Sequence, residues 1–203
     1  MNGVPDGGSA DADADNGKDA VGRIFWQPFR SAVTGPLRGL GAGVAGTWGE
    51  TDGAPSATGL PAYKTPAQQT FFAYRSDGKA AGTTVAGGHR LRVSPQAYYA
   101  NGRFGALAEF VSSSQRVRRE SKTESLKNES WQVASSYVLT GEDASYKGVA
   151  PKRPFDRAAG GRGALEAVAR YERLAIDAGA FPIYADPVVS ARRVRGWAAG
   201  LNW

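Results

Sequence analysis

Apolar and polar side chains alternate with a period of two in run after run of this chain, the period of a strand with one dry and one wet face. The clearest run is Ser130-Trp131-Gln132-Val133-Ala134-Ser135-Ser136-Tyr137-Val138-Leu139-Thr140, which gives way at Gly141-Glu142-Asp143 to a turn and a polar link. No stretch reaches the roughly 18 consecutive apolar residues that a membrane helix requires, and the mean hydropathy is −0.39. A helical membrane protein is thereby excluded. A membrane β-barrel is not, because its strands show lipid only every second side chain.

The pattern predicts seven strands, over residues 21–29, 40–49, 89–99, 104–116, 130–140, 164–176 and 194–203. Each is close to the roughly 9 to 11 residues that cross an outer membrane. Residues 1–20, rich in Asp, Gly and Ala, read as a loop, and 21–203 as one barrel-wall domain with its loops. Residues 70–74 are β-prone but too short to cross, and predict a hairpin inside one long loop. Residues 163–177 read equally well as a helix by propensity. The tight Ala100-Asn101-Gly102-Arg103 turn is of the kind found on the periplasmic side. Counting from it, 50–88, 117–129 and 177–193 face outside, and 30–39 and 141–163 the periplasm. The length of the last is unusual for a periplasmic link.

The two faces differ in chemistry. Leu91, Val93 and Ala97 share one side of their strand, and Arg90, Arg92, Ser94 and Gln96 the other. By the same parity Arg23 opposes Ile24 and Arg170 opposes Tyr171. Trp26, Trp48, Tyr99, Phe104, Trp131, Tyr171, Trp197 and Trp203 lie near strand ends on the apolar face, as the aromatic girdles of a barrel do. The net charge of +6 points to an anionic partner. The same alternation fits a soluble basic β-sandwich binding polyanions or nucleic acid, with the rings as its core.

No catalytic or metal-binding pattern emerges, and neither an enzyme nor a cofactor is expected. The chain has no Cys and one histidine, His89. Asp11-Ala12-Asp13-Ala14-Asp15-Asn16-Gly17 has the acidic spacing of a calcium loop without its glycine or closing Glu in place. The N-terminus has no basic, apolar leader, so for an exported protein a preceding segment is expected.

Residues 126–148 resemble a signature of the phosphate-selective porin O/P family of Gram-negative outer membranes. Gly17-Lys18-Asp19, Arg23-Ile24-Phe25 with Pro28-Phe29, residues 40–46 and 65–74, Ser94-Pro95-Gln96-Ala97-Tyr98-Tyr99, residues 104–111, Pro154-Phe155-Asp156, Ala169-Arg170-Tyr171 and Gly200-Leu201-Asn202-Trp203 carry the same resemblance. It spans nearly the whole chain. It implies an all-β antiparallel transmembrane barrel of sixteen strands, assembled as a homotrimer in outer-membrane lipid, in which basic side chains draw phosphate or related anions through a narrow lumen. Seven crossings then make this an internal or C-terminal-half piece. The resemblance implies no catalysis and no nucleic acid.

Arg90 and Arg92, two residues apart like adjacent rungs, are the first candidates to line such a lumen, followed by Arg23 and Arg170. Glu109 and Glu166 are the carboxylates expected to pair with any that only brace the wall. Arg116, Arg118, Arg119 and Arg192, with Lys122, Lys127, Arg193 and Arg195, are candidates for a funnel at the outer mouth. The phosphate-specific members place Arg at alternate positions in the region of residues 64–75, where this chain has Thr65, Gln68, Gln69, Phe71 and Phe72. A general anion or small-solute pore therefore stands beside a strictly phosphate-selective one.

Overall fold

The computed structural model describes residues 18–31 and 35–203, so residues 1–17, including the calcium-like 11–17, lie outside the described residues. The alternating runs become strands: β1 (Ala20–Trp26), β2 (Leu40–Asp52), β3 (Tyr63–Lys64), β4 (Thr70–Phe72), β5 (Val85–Asn101), β6 (Phe104–Arg119), β7 (Lys122–Val138), β8 (Glu166–Ala175) and β9 (Arg193–Asn202). All but β3 and β4 form one sheet in the order β1-β2-β5-β6-β7-β8-β9, each pair antiparallel. β1 and β9 are its edges, and the sheet does not close on itself.

A single large sheet corrects the sandwich alternative. Among the described residues, nothing but the two-stranded β3–β4 ribbon joins it as a second sheet. The wet and dry faces are also inverted relative to a soluble protein. On β7, Trp131, Val133 and Tyr137 are exposed while Gln132, Ala134 and Ser136 are half-buried. The segment 163–177 resolves as strand β8, because both its edges are paired, to β7 and to β9.

The predicted outer loop at 117–129 is corrected. β6 and β7 run on through it and turn over only at Glu120-Ser121, with Glu120 at φ 55. The alternation persists there, with Gln115, Val117, Leu126 and Asn128 buried and Arg116, Arg118 and Lys127 exposed. β5 also overshoots, starting at Val85. A bulge between Ala86 and Arg90 sets Gly87, Gly88 and His89 opposite Arg116 alone, leaving two surplus residues on β5.

At this end the connections 53–84 and 176–192 pack on the protruding strands. Leu60, Phe72, Ala86, Val117, Leu126, Ile176, Ala180, Tyr184 and Ala185 form a buried cluster. The expected hairpin is β3–β4, and Phe72 at its inner end packs edge-on against Tyr74 (5.0 Å between centroids) and Phe181 (5.9 Å). Arg75 ties the two connections together through Asp186 (3.0 Å) and the Pro182 carbonyl (3.1 Å).

At the opposite end β5 and β6 join through Gly102-Arg103, with Gly102 at φ 53 as so tight a turn requires. The long link 139–165 is accounted for by where it goes. It folds back beneath the sheet, its Ala144 N–H donating to the Gly102 carbonyl (2.6 Å) and its Tyr146 ring stacking on Tyr98 (4.9 Å). The Thr140 hydroxyl donates to the Glu142 carboxylate, and the Lys152 N–H adds a bond of 3.3 Å. Chiefly through the Thr140 bond, the Glu142 carboxyl is held below its usual range.

Candidate functional site

The register decides which side chains share a face. Arg90 lies opposite Gly49 and Gln115, and Arg92 opposite Thr47 and Ser113. Arg23 lies opposite Ala45, and Arg170 opposite Ala134 and Ala198. Followed across the sheet, these pairings put Arg23, Arg90, Arg92 and Arg170 on one polar face, together with Glu109, Gln132 and Glu172. Gly, Ala and Ser fill much of the rest, which leaves space above the backbone for the arginines.

The four arginines are not equivalent. Arg90 donates to Asp19 at 2.6 Å, and Arg170 is 3.3 Å from Glu172. These carboxylates, and not the expected Glu109 or Glu166, are their partners. Glu109 instead accepts from the Ser94 hydroxyl and the Gln132 amide, both at 2.9 Å, and Glu166 from Asn202 at 3.0 Å. Arg23 lies over the Phe25 ring, 5.6 Å from its centroid. Arg92 has no carboxylate within ion-pair distance among the described residues. Its charge acts on the Tyr63 hydroxyl, which also accepts from the Asn128 amide at 3.2 Å. Burial pushes the Tyr63 phenol up, and the Asn128 bond and Arg92 only partly offset it.

Two features narrow the space over this face. The β3–β4 turn, Lys64 to Gln68, overhangs Glu109, Gln132, Arg170 and Glu172 across a cavity of about 660 Å³. Towards the other end, Phe25, Tyr98 and Tyr146 stack in a column (5.7 and 4.9 Å between centroids), and the Gln27 amide donates to the Tyr98 hydroxyl. Arg23, Arg30 and Lys147 border the cavity of about 610 Å³ beside it. Gly41 makes the column possible, since a Cβ there would meet the Tyr98 ring at 2.5 Å. Sequence reasoning missed Lys64, Arg30, Lys147 and the column. Phe25 and Tyr98 did carry a signal, as aromatic rings on the wet parity of their strands.

The four mouth candidates do not converge. Arg116 and Arg118 project from the face opposite the polar one. Arg119 turns back to donate to the Ile183 carbonyl (3.0 Å), and Arg192 is exposed just ahead of β9.

The opposite face is an apolar band with a sharp upper limit. Its upper line is Trp48, Leu91, Phe110, Trp131, Tyr171 and Trp197, and all six side chains are exposed. Two residues further towards the loop-rich end come Glu50, His89, Ser112, Glu129, Arg173 and Arg195. The lower line is Trp26, Leu40, Tyr99, Phe104, Tyr137 and Leu201. Leu91 to Tyr99 spans about 27 Å along the strand and about 20 Å once tilted, near the ~25 Å hydrocarbon band of outer-membrane barrels. Leaving such side chains in water forfeits roughly 1.5–3 kcal/mol each, so this face calls for a non-aqueous neighbour.

A family model described as phosphate-selective porin O and P matches residues 2–203. No curated protein and no solved structure matches the chain.

Proposed function

The chain belongs to the phosphate-selective porin O and P family, a family of outer-membrane channels of Gram-negative bacteria, and on that footing we propose how it passes its solute. Its sheet is barrel wall, with the apolar band in lipid and the polar face lining a water-filled lumen. Phosphate and related anions diffuse passively past Arg92, Arg90, Arg23 and Arg170. The observation that carries this reading is that one parity gathers all four arginines while the other presents aromatic-bordered apolar surface.

An anion entering a lumen must exchange water for donors, and a guanidinium offers several with a permanent charge. It must also leave, so several moderate sites serve better than one tight site. Arg92, free of a carboxylate partner among the described residues, is the strongest rung. Arg90 and Arg170, already bonded to Asp19 and Glu172, are weaker ones. The β3–β4 turn and the Tyr98–Tyr146 column narrow the path from either end. The loop-rich end, where strands overshoot the band, faces outside. There Arg116, Arg118, Arg119 and Arg192 raise the local anion concentration as a diffuse field, not a lined funnel. An open sheet edge has no place in hydrocarbon, so β1 and β9 find further strands in a closed barrel. Residues 21–203 act as one wall domain within it, and the barrels assemble as trimers.

The test is the reversal potential of the full-length protein in a planar bilayer under a salt gradient. Anion preference is expected, and Arg92→Ala is expected to reduce it more than Arg90→Ala does. Cation preference in the parent protein would reject the reading.

A further inference from the structure

On the lipid-facing side, Arg173 of β8 and Arg195 of β9 are direct cross-strand partners. Their row continues to Trp131 and Phe110, and the next row towards the band holds Trp197, Tyr171 and Val133. No register shift interrupts β7, β8 or β9, so both arginines share the side of these rings. Like charges directly opposite each other on a sheet are destabilising. Neither arginine has an ion-pair partner among the described residues. The nearest carboxylate on that face, Glu129, is bonded to Lys127 at 2.8 Å, and Arg193 adds a third positive charge one row further out.

Such an arrangement is completed by an anion between the two guanidinium forks, and phosphate is the group their geometry fits. Position selects which phosphate. Immediately towards the band lie Trp197, 82% exposed, and the Trp131–Tyr171 pair, 5.4 Å between centroids. The ligand is therefore an amphiphile, with its charge at the arginines and its hydrocarbon along Tyr171, Trp197 and Val133. The site is also one-sided. At the lower limit of the band the strands finish on Trp26, Tyr99, Phe104 and Leu201, with no arginine on that face at that end of the described strands.

We propose that Arg173 and Arg195, backed by Arg193, clamp a phosphate of an outer-leaflet glycolipid of the lipid A type on the outside of the wall. This rests on the proposed orientation with the loop-rich end outward, but not on the lumen arginines. Conductance through Arg92 and lipid retention at Arg173 therefore fail independently.

The experiment is native mass spectrometry of the detergent-extracted full-length protein with bisphosphorylated lipid A, dephosphorylated lipid A and phosphatidylglycerol. Retention of the bisphosphorylated form is expected to fall roughly tenfold or more when its phosphates are removed or when Arg173→Gln and Arg195→Gln are combined. Arg157→Gln, exposed near the other end, is expected to leave it unchanged. Equal retention with and without phosphates in the parent protein overturns the proposal without recourse to any variant. So does equal retention of phosphatidylglycerol, which would mark a general anionic surface, or displacement by excess inorganic phosphate, which would mark a free-phosphate site.

Discussion

The loop-rich end and the middle of the sheet use apolar side chains in opposite ways. At the loop-rich end Phe72, Val117 and Leu126 are sealed inside a protein-made core. In the middle of the sheet, side chains as large as Trp48, Trp131 and Trp197 stand outward, and the interior-facing positions are largely small or polar, with the Phe25 and Tyr98 rings as exceptions. The same strands do both. β7 buries Leu126 on one face and, five residues later, exposes Trp131 on the other. The protein supplies its own hydrophobic phase where it rises above the membrane and borrows one where it crosses. Stability is therefore a property of the chain at one end and of chain plus lipid at the other.

The sharpest way to break this contrast is Phe72→Ala. Emptying the centre of the loop core is expected to cost about 3–5 kcal/mol locally. Hydrogen exchange and protease cleavage would rise in 53–84 and 176–192, while heat-modifiable gel mobility of the barrel persists. Loss of that mobility would show the two regions to be one cooperative unit. Next comes the pair Val133→Arg and Ala134→Arg, adjacent in sequence and on opposite faces. The first is expected to destabilise the membrane-inserted state by about 2–4 kcal/mol, and the second to leave folding intact while altering ion selectivity. Similar losses in urea titrations of both variants would contradict the assignment of faces.

The smallest effect separates the regions by pH. Burial raises the phenols of Tyr63, Tyr74 and Tyr184, helped at Tyr184 by the Glu124 carboxylate. A phenol that ionises less readily folded than unfolded stabilises the fold below its unfolded pKa of 10.0. That contribution is lost as pH rises from there through the folded values. The loop core is expected to loosen above pH 10 ahead of the sheet, as followed by tyrosinate absorbance together with protease sensitivity. An alkaline transition that began in the transmembrane strands would reverse the ranking.

The seven strands were legible because a half-wet sheet writes its two faces directly into alternate residues. The hairpin tip at 117–129 was misread because Arg118, Glu120, Lys122, Glu124 and Lys127 look like loop composition. Its alternation, with Gln115, Val117, Leu126 and Asn128 inward, was nonetheless intact. The face of Arg90 and Arg92 was legible from parity alone. What each arginine touches was not, because Asp19 and Arg90 are 71 residues apart and meet only through the pairing of three strands. The Phe25–Tyr98–Tyr146 column likewise joins β1, β5 and a link that sequence alone could not route back beneath the sheet.

The irregularity at Gly87-Gly88 has a hereditary consequence. Because β5 carries a surplus of two residues there, it leaves the bulge in the same frame in which it entered, with Ala86 towards the loop core and Arg90 on the polar face. Losing one glycine would shift that frame by half a period and send either the core residues or the arginines to the wrong side. Related genes are thus expected to lengthen or shorten here in pairs of codons.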